Sequence, residues 1–162
     1  MITIRHAYLE EYEIAATMTI KACLDIQAKL KVEDWEKMRT YLSSTTQLRN
    51  GGELLIAIKE EMMVGVAVYN APESSENIQI PKEWGMISLL VVTPKARGLG
   101  IGSKLTASCI DLAKSDKARI LGFYINHSTI EAVRLCEKWG FQKTQKIQSL
   151  YNIHQRLYRL II

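Results

Sequence analysis

The chain has 162 residues, the length of one domain rather than two. Hydrophobic residues make up 48% and charged residues 23%, which fits a globular core and excludes a disordered chain or a collagen-like fibre. The net charge of +4 suits a small anionic ligand but falls short of the dense basic face that nucleic acid demands.

Residues 1–6 carry no apolar h-region behind a basic start, so no export signal is expected. Ile2 and Ile4 alternate around Thr3 as in a first strand. Over residues 9–30, Ile14, Ala15, Met18, Ala22 and Ile26 recur at helical spacing. Glu10, Glu11 and Glu13 stand near the start of that stretch, where acids complement the positive end of a helix dipole. A second helix is expected over residues 33–42, with Trp35, Met38 and Tyr41 spaced along one face as core or cleft wall. Asn50, Gly51 and Gly52 break the pattern. The aliphatic stretches 54–59 and 63–69 flank Glu60-Glu61 and read as a hairpin, although the turn lacks the preferred Asn-Gly pair.

Residues 71–81 are polar and hold two prolines, as in an exposed loop. The near-continuous apolar run 86–92 predicts a strand buried on both faces. With Ser88 inside it, that run is far too short to span a membrane. A glycine-rich turn follows Thr93-Pro94, after which Ile101, Leu105, Cys109 and Leu112 mark a helix. A strand over 120–125, a helix over 129–139 ended by Gly140, and two closing strands over 141–151 and 153–162 complete the chain. Arg156 and Arg159 read as exposed residues of the last strand. Cys23, Cys109 and Cys136 are scattered without a C-x-x-C pair, so they read as reduced thiols, with neither disulfide nor metal site, and the cytoplasm is the expected compartment. The pattern predicts a single α/β domain over 1–162, a mixed central sheet of about seven strands with about four helices.

The chemistry concentrates where the apolar run Leu89-Leu90-Val91-Val92 passes through Thr93-Pro94-Lys95-Ala96 into Arg97-Gly98-Leu99-Gly100-Ile101-Gly102-Ser103-Lys104. The first amides of a helix have no intrahelical acceptor, and the dipole adds positive potential there. Glycines remove the side chains that would hold a phosphate away from those amides. Arg97 and Lys104 offer charge-assisted contacts. The plainer alternative is a tight strand-to-helix turn that needs glycine only for its backbone freedom. A P-loop is excluded, because Lys104 follows Ser103 and not a second glycine. The dinucleotide pattern G-x-G-x-x-G fails as well, since Gly98 and Gly100 are followed by Gly102 with no glycine at 103. Asp116, at a plausible distance for a ribose, lies in a polar turn and not at a strand end.

On these residues the chain resembles the GCN5-related N-acetyltransferase (GNAT) superfamily. The stretch from Arg97 to Gly102 fits that family's [QR]-x-x-G-x-[GA] acyl-CoA motif, and Leu89 to Pro94 looks like its fourth strand. Downstream, Ala132-Val133-Arg134-Leu135-Cys136-Glu137-Lys138-Trp139-Gly140-Phe141 resembles its A-x-x-L-Y-E-K-x-G-F block. The resemblance implies a sheet splayed at the fourth and fifth strands, with acetyl-CoA as acyl donor in the opening. Backbone groups of Leu90, Val91 and Val92 would pair with the pantetheine arm. Amides of Gly98, Leu99, Gly100, Ile101, Gly102 and Ser103 would hold the pyrophosphate. The implied reaction is direct attack of a primary amine on the thioester, with the amine borne by a small molecule, an amino acid or a protein. Members of that family often dimerise through helices or closing strands, so a homodimer is compatible with the resemblance.

The chain departs from the family pattern at the proton-transfer groups. Cys136 occupies the place of the family's tyrosine acid, and its helical spacing between Val133 and Trp139 suits core packing equally. Thr129 stands where a cofactor-binding asparagine often lies, beside Asn126 and His127. The family's strand glutamate aligns with Met86, which leaves Glu83, three residues earlier, and His127 as candidate bases. The plainer reading of each is a solvated or structural loop residue. Tyr124 is a further candidate donor whose face alternation alone does not fix, and His6 and His154 show no partner pattern. These departures leave open a non-catalytic acyl-CoA sensor, and an enzyme that takes propionyl- or succinyl-CoA as donor.

Overall fold

A computed structural model describes residues 1–46, 51–74, 80–126 and 129–162 of the chain. Strand β1 (Ile2–His6) leads through a 3-10 turn at Leu9–Glu11 into helices α1 (Tyr12–Ala22), α2 (Leu24–Gln27) and α3 (Val32–Thr46). Strands β2 (Glu53–Lys59), β3 (Met62–Asn70) and β4 (Gly85–Val92) follow, then a 3-10 turn at Pro94–Ala96 and helix α4 (Ile101–Ser115). Strand β5 (Ile120–Ile125), helix α5 (Ile130–Trp139) and the hairpin of β6 (Gln142–Leu150) and β7 (Ile153–Ile161) complete the order. The seven strands form one sheet in the order β1-β2-β3-β4-β5-β7-β6. Among the described residues only the central β4–β5 contact is parallel, and β7 folds back antiparallel between β5 and β6.

Period-two alternation sends the strand residues to two cores. On one face Leu54, Ile56, Val66, Val68 and Leu89 pack beneath α1 and α3 with Ala15, Trp35 and Leu42. On the other, Ala57, Ala67, Ile87 and Leu121 meet Leu105 and Cys109 of α4 and Cys136 of α5. The β2–β3 hairpin turns on Glu60 and Glu61, with φ of 50° and 66°. That left-handed pair matches the twist of a two-residue hairpin even without glycine.

Three expectations change. The helix predicted over 9–30 is broken at Cys23, whose φ of −100° and ψ of 9° separate α1 from α2, which makes five helices among the described residues instead of four. Apolar spacing did not reveal the break, because Ile26 of α2 packs against the same core as Ala15 and Met18. Strand β4 is buried on both faces only at its start, and Leu90, Val91 and Val92 are half-exposed. Arg156 is half-buried, its guanidinium donating to the Thr144 carbonyl at 2.9 Å across β6–β7, and Arg159 is half-buried too. No helix among the described residues is long and apolar enough to cross a membrane.

Candidate active site

The site originates in a bulge. Strands β4 and β5 pair only at Gly85–Leu121, Met86–Gly122 and Ile87–Phe123. On the other side of β4, Tyr69 faces Ile87 and Val68 faces Leu89, so Ser88 is an extra residue in the β3–β4 ladder. A bulge bends its strand and increases the local twist. Ser88 points its hydroxyl at the Asn70 side-chain oxygen, which fixes the bulge at the residue where β4 leaves β5. Beyond it Leu89, Leu90, Val91 and Val92 remain paired with β3 and have no pairing with β5. Their backbone groups on that side line an opening of about 1580 Å³ that runs from α1 and α3 to α5 and the β6–β7 hairpin.

The glycine turn closes one end of this cleft. Gly98 and Gly100 have φ of +82° and +81°, left-handed values that a side chain strains. A Cβ built at either would meet no protein atom within 4 Å, so the space before them is open. Gly100 is the N-cap of α4 and supplies no side chain, and the first turn of the helix carries no acid. The amides of Ile101, Gly102 and Ser103 therefore stand at an uncapped helix start, where an anion is favoured. Gly98, Gly100, Ile101, Gly102 and Ser103 all line the cleft. Leu99 is 47% exposed and lies outside the lining.

The basic groups are arranged differently from the sequence expectation. Arg97 donates to the Val92 carbonyl at 3.3 Å and to the Ala22 carbonyl at 3.4 Å, so it braces the end of β4 against the end of α1. Lys104 points to solvent outside the cleft. Arg97 nevertheless lines the cleft, joined there by Arg134 and Lys138 of α5, and Lys138 donates to the Ser103 hydroxyl at 3.0 Å. The i, i+4 spacing of Arg134 and Lys138 on one helix face was the signal in the sequence, missed because the motif drew attention to the turn alone. Asp116 accepts a hydrogen bond from the Tyr69 hydroxyl at 2.9 Å and takes no part in the cleft.

Thr129 is the N-cap residue of α5, makes no capping bond with its side chain, and lines the cleft beside Asn126. Cys136 is 1% exposed within the core shared with α4, and burial, reinforced by Glu137, pushes its thiol up to about 12. It does not reach the cleft. Glu83 is exposed in a turn closed by the Trp84 amide on the Pro81 carbonyl at 3.1 Å, and it too lies outside the lining. His127 falls outside the described residues. No sequence pattern marked His154, which the β6–β7 hairpin carries to the cleft wall. His6 instead meets Glu53 at 3.1 Å on the far edge of the sheet. Above the cleft the turn of that hairpin reaches α3, where the Tyr41 and Tyr151 rings lie 6.2 Å apart and Asn152 donates to Asp34 at 2.8 Å.

The site is thus a parallel pair of strands parted by a bulge, with a glycine-led helix start at the mouth of the gap. The family model described as the acetyltransferase (GNAT) family matches residues 8–141, and the chain belongs to that family. Among curated proteins none matches. Solved structures share the fold at low identity. The PaiA N-acetyltransferase of Thermoplasma acidophilum in complex with coenzyme A superposes with a TM-score of 0.78 at 14% identity, covering 100% of this chain and 99% of that one. A ribosomal-protein-alanine N-acetyltransferase from Brucella melitensis gives 0.70 at 24% identity, with 99% of each chain covered. The structure of yncA from Salmonella typhimurium with its cofactor acetyl-CoA gives 0.70 at 19%, covering 99% of this chain and 94% of that one.

Proposed function

We propose that the chain is an N-acetyltransferase that moves the acetyl group of acetyl-CoA to a primary amine by direct attack in a ternary complex. One observation carries the reading: the unpaired edge of β4 and the uncapped start of α4 open onto the same cleft. On that edge the backbone groups of Leu90 and the Val92 amide face the cleft and can pair with a pantetheine arm, much as a further strand would, while Val91 pairs with β3 and the Val92 carbonyl is held by Arg97. The amides from Gly98 through Ser103 fit a pyrophosphate, with Arg134 and Lys138 adding charge at the rim. Thr129 stands at the far side of the same opening. The cleft is large enough to hold an extended nucleotide thioester and an acceptor together.

The amine must lose a proton before its nitrogen lone pair attacks the carbonyl carbon. Placing the two reactants in one rigid cleft supplies much of the rate by itself. The acceptor enters beneath α1, α3 and the β6–β7 hairpin, where Ile26, Leu30, Met38, Tyr151 and the carboxylate of Asp25 line the cleft.

Calorimetry with acetyl-CoA, followed by thiol release against a panel of amines, tests the proposal. Binding with turnover is the expected result. The burial of Cys136 and the outward position of Glu83 favour a second reading, a sensor that binds acyl-CoA without consuming it. Binding without turnover on any amine would select that reading, and absence of binding would overturn both. Parallel assays with propionyl- and succinyl-CoA assign the donor.

A further inference from the structure

Tyr124 stands on β5 one residue past Phe123, the last residue that β5 pairs with β4. It is therefore at the apex of the gap, opposite Ser88, and both line the cleft. Phe123 and Ile125 point into the core shared with α4 and α5. Alternation turns Tyr124 to the other face, where its ring packs with Ile80, Trp84, Met86 and Leu157. Its hydroxyl is buried and has no hydrogen-bond partner among the described residues. A buried phenol oxygen without a partner lowers stability, and such groups in a folded protein call for a reason. The other orphan, Trp139 Nε1, belongs to a side chain packed on the opposite core and lies outside the cleft. Cys136, in the place of the family's tyrosine, is on that opposite core as well.

We infer that Tyr124 is the catalytic proton donor of this site, its hydroxyl held for the thioester sulfur at the point where the two strands part. The inference rests on the proposed transferase function. The neutral amine nitrogen attacks the carbonyl carbon, and the C=O π pair moves to oxygen. On collapse that pair re-forms the carbonyl, the C–S bond breaks, and sulfur leaves with its electrons. The sulfur takes the proton of the Tyr124 hydroxyl, which yields the CoA thiol and a tyrosinate. The nitrogen, still carrying an extra proton after forming its bond to carbon, gives that proton to the tyrosinate and restores the phenol. Burial raises the Tyr124 hydroxyl above its ordinary value of 10.0, so it remains a protonated donor throughout the neutral range. The protonated nitrogen of the nascent amide is far more acidic than a phenol, so its proton passes readily to the tyrosinate.

Tyr124→Phe removes the hydroxyl and keeps the ring in its packing. The expected result is a fall in kcat of about 100-fold or more, the low end of what general acids contribute. KM for acetyl-CoA should stay within about twofold, because the nucleotide is held by β4 and α4. Binding gives a second readout that needs no turnover. CoA should bind the variant several-fold more weakly than the wild type, since one hydrogen bond to sulfur is lost, whereas desulfo-CoA should bind both equally. The melting temperature should be unchanged or raised, because an unpartnered polar group has been removed. A wild type that binds and turns over while the variant keeps its kcat within about twofold overturns the inference alone. So does a higher KM for the amine with kcat intact, or an equal loss of CoA and desulfo-CoA affinity. A wild type that binds neither nucleotide overturns the transferase reading and this inference with it.

Discussion

Substitution at Gly100 separates what the glycine turn does for the fold from what it does for a ligand. Gly100→Ala places a Cβ on a residue with φ of +81°. Left-handed backbone costs a non-glycine residue about 1–2 kcal/mol, which for a chain of this size lowers the melting temperature by about 2–8 °C. No protein atom lies within 4 Å of that Cβ, so no steric term adds to the strain. Gly100→Glu carries the same strain and adds a carboxylate at the uncapped start of α4, where the proposed pyrophosphate sits. Two like charges about 4 Å apart repel by about 1 kcal/mol in water and about 4 kcal/mol at the effective dielectric of a protein surface. The glutamate variant should therefore lose at least about fivefold in acetyl-CoA affinity relative to the alanine variant, at a matching melting temperature. Titration calorimetry on the wild type and both variants, at low and at 0.5 M salt, reads the difference. Added salt should narrow the gap, since exposed charges are screened. Equal affinity for the two variants would mean that the pyrophosphate is not bound at this turn, and the assignment of the cradle would fail.

Other consequences follow from residues already described. Cys136→Ala removes one sulfur from the core and should cost about 1 kcal/mol in stability while kcat stays within about twofold; a tenfold loss in a folded variant would restore the thiol as a proton donor. Glu11 is held below its ordinary value of 4.5 first by the Arg5 guanidinium, at 2.8 and 2.9 Å, and then by the Tyr8 amide at 2.7 Å. A depressed native value stabilises the fold above the ordinary carboxylate range and loses that effect as pH falls through it. Glu11→Gln should accordingly melt lower than the wild type at pH 7, with the two curves converging in acid; a gap independent of pH would refute the coupling. Tyr151→Ala removes the ring that meets Tyr41 above the cleft. An aromatic pair of this kind is worth about 0.5–1.5 kcal/mol, so KM for the amine should rise by up to about tenfold with acetyl-CoA affinity unchanged, and a change in acetyl-CoA affinity would place the roof over the wrong substrate.

Most of the fold was legible because its strands and long helices obey simple periods. The expected bounds of β5 agree with the observed ones, and the hairpin of β2 and β3 showed as two aliphatic stretches around a polar pair. The break at Cys23 was hidden, since a turn that keeps Ile26 on the buried face leaves the apolar spacing undisturbed. The glycine turn was legible for a different reason: a backbone that turns left-handed at two positions writes glycine into the sequence. Tyr124 was not legible to the same degree. Its face depends on the registers Ile87–Phe123 and Tyr124–Leu157, which join residues far apart in the chain.

The same distinction explains why the two halves of the cleft differ in what they reveal. In the proposed transferase the donor half is made of amides and carbonyls of β4 and α4, groups that every sequence carries, held by a bulge and two glycines. Solved structures at 14–24% identity keep this fold over at least 99% of the present chain, so the framework that aims those groups tolerates replacement of most side chains. In the same reading the acceptor half is made of side chains from α1, α2, α3 and the β6–β7 turn, with the Tyr41–Tyr151 contact and the Asn152–Asp34 hydrogen bond joining that turn to α3. Nothing in the backbone constrains their identity. Tyr124 lies on the boundary, a side chain on β5 whose position is set by the same parting of strands that exposes the β4 edge. A proton donor placed there is registered on the donor and not on the amine, and it can serve whichever acceptor the variable half admits.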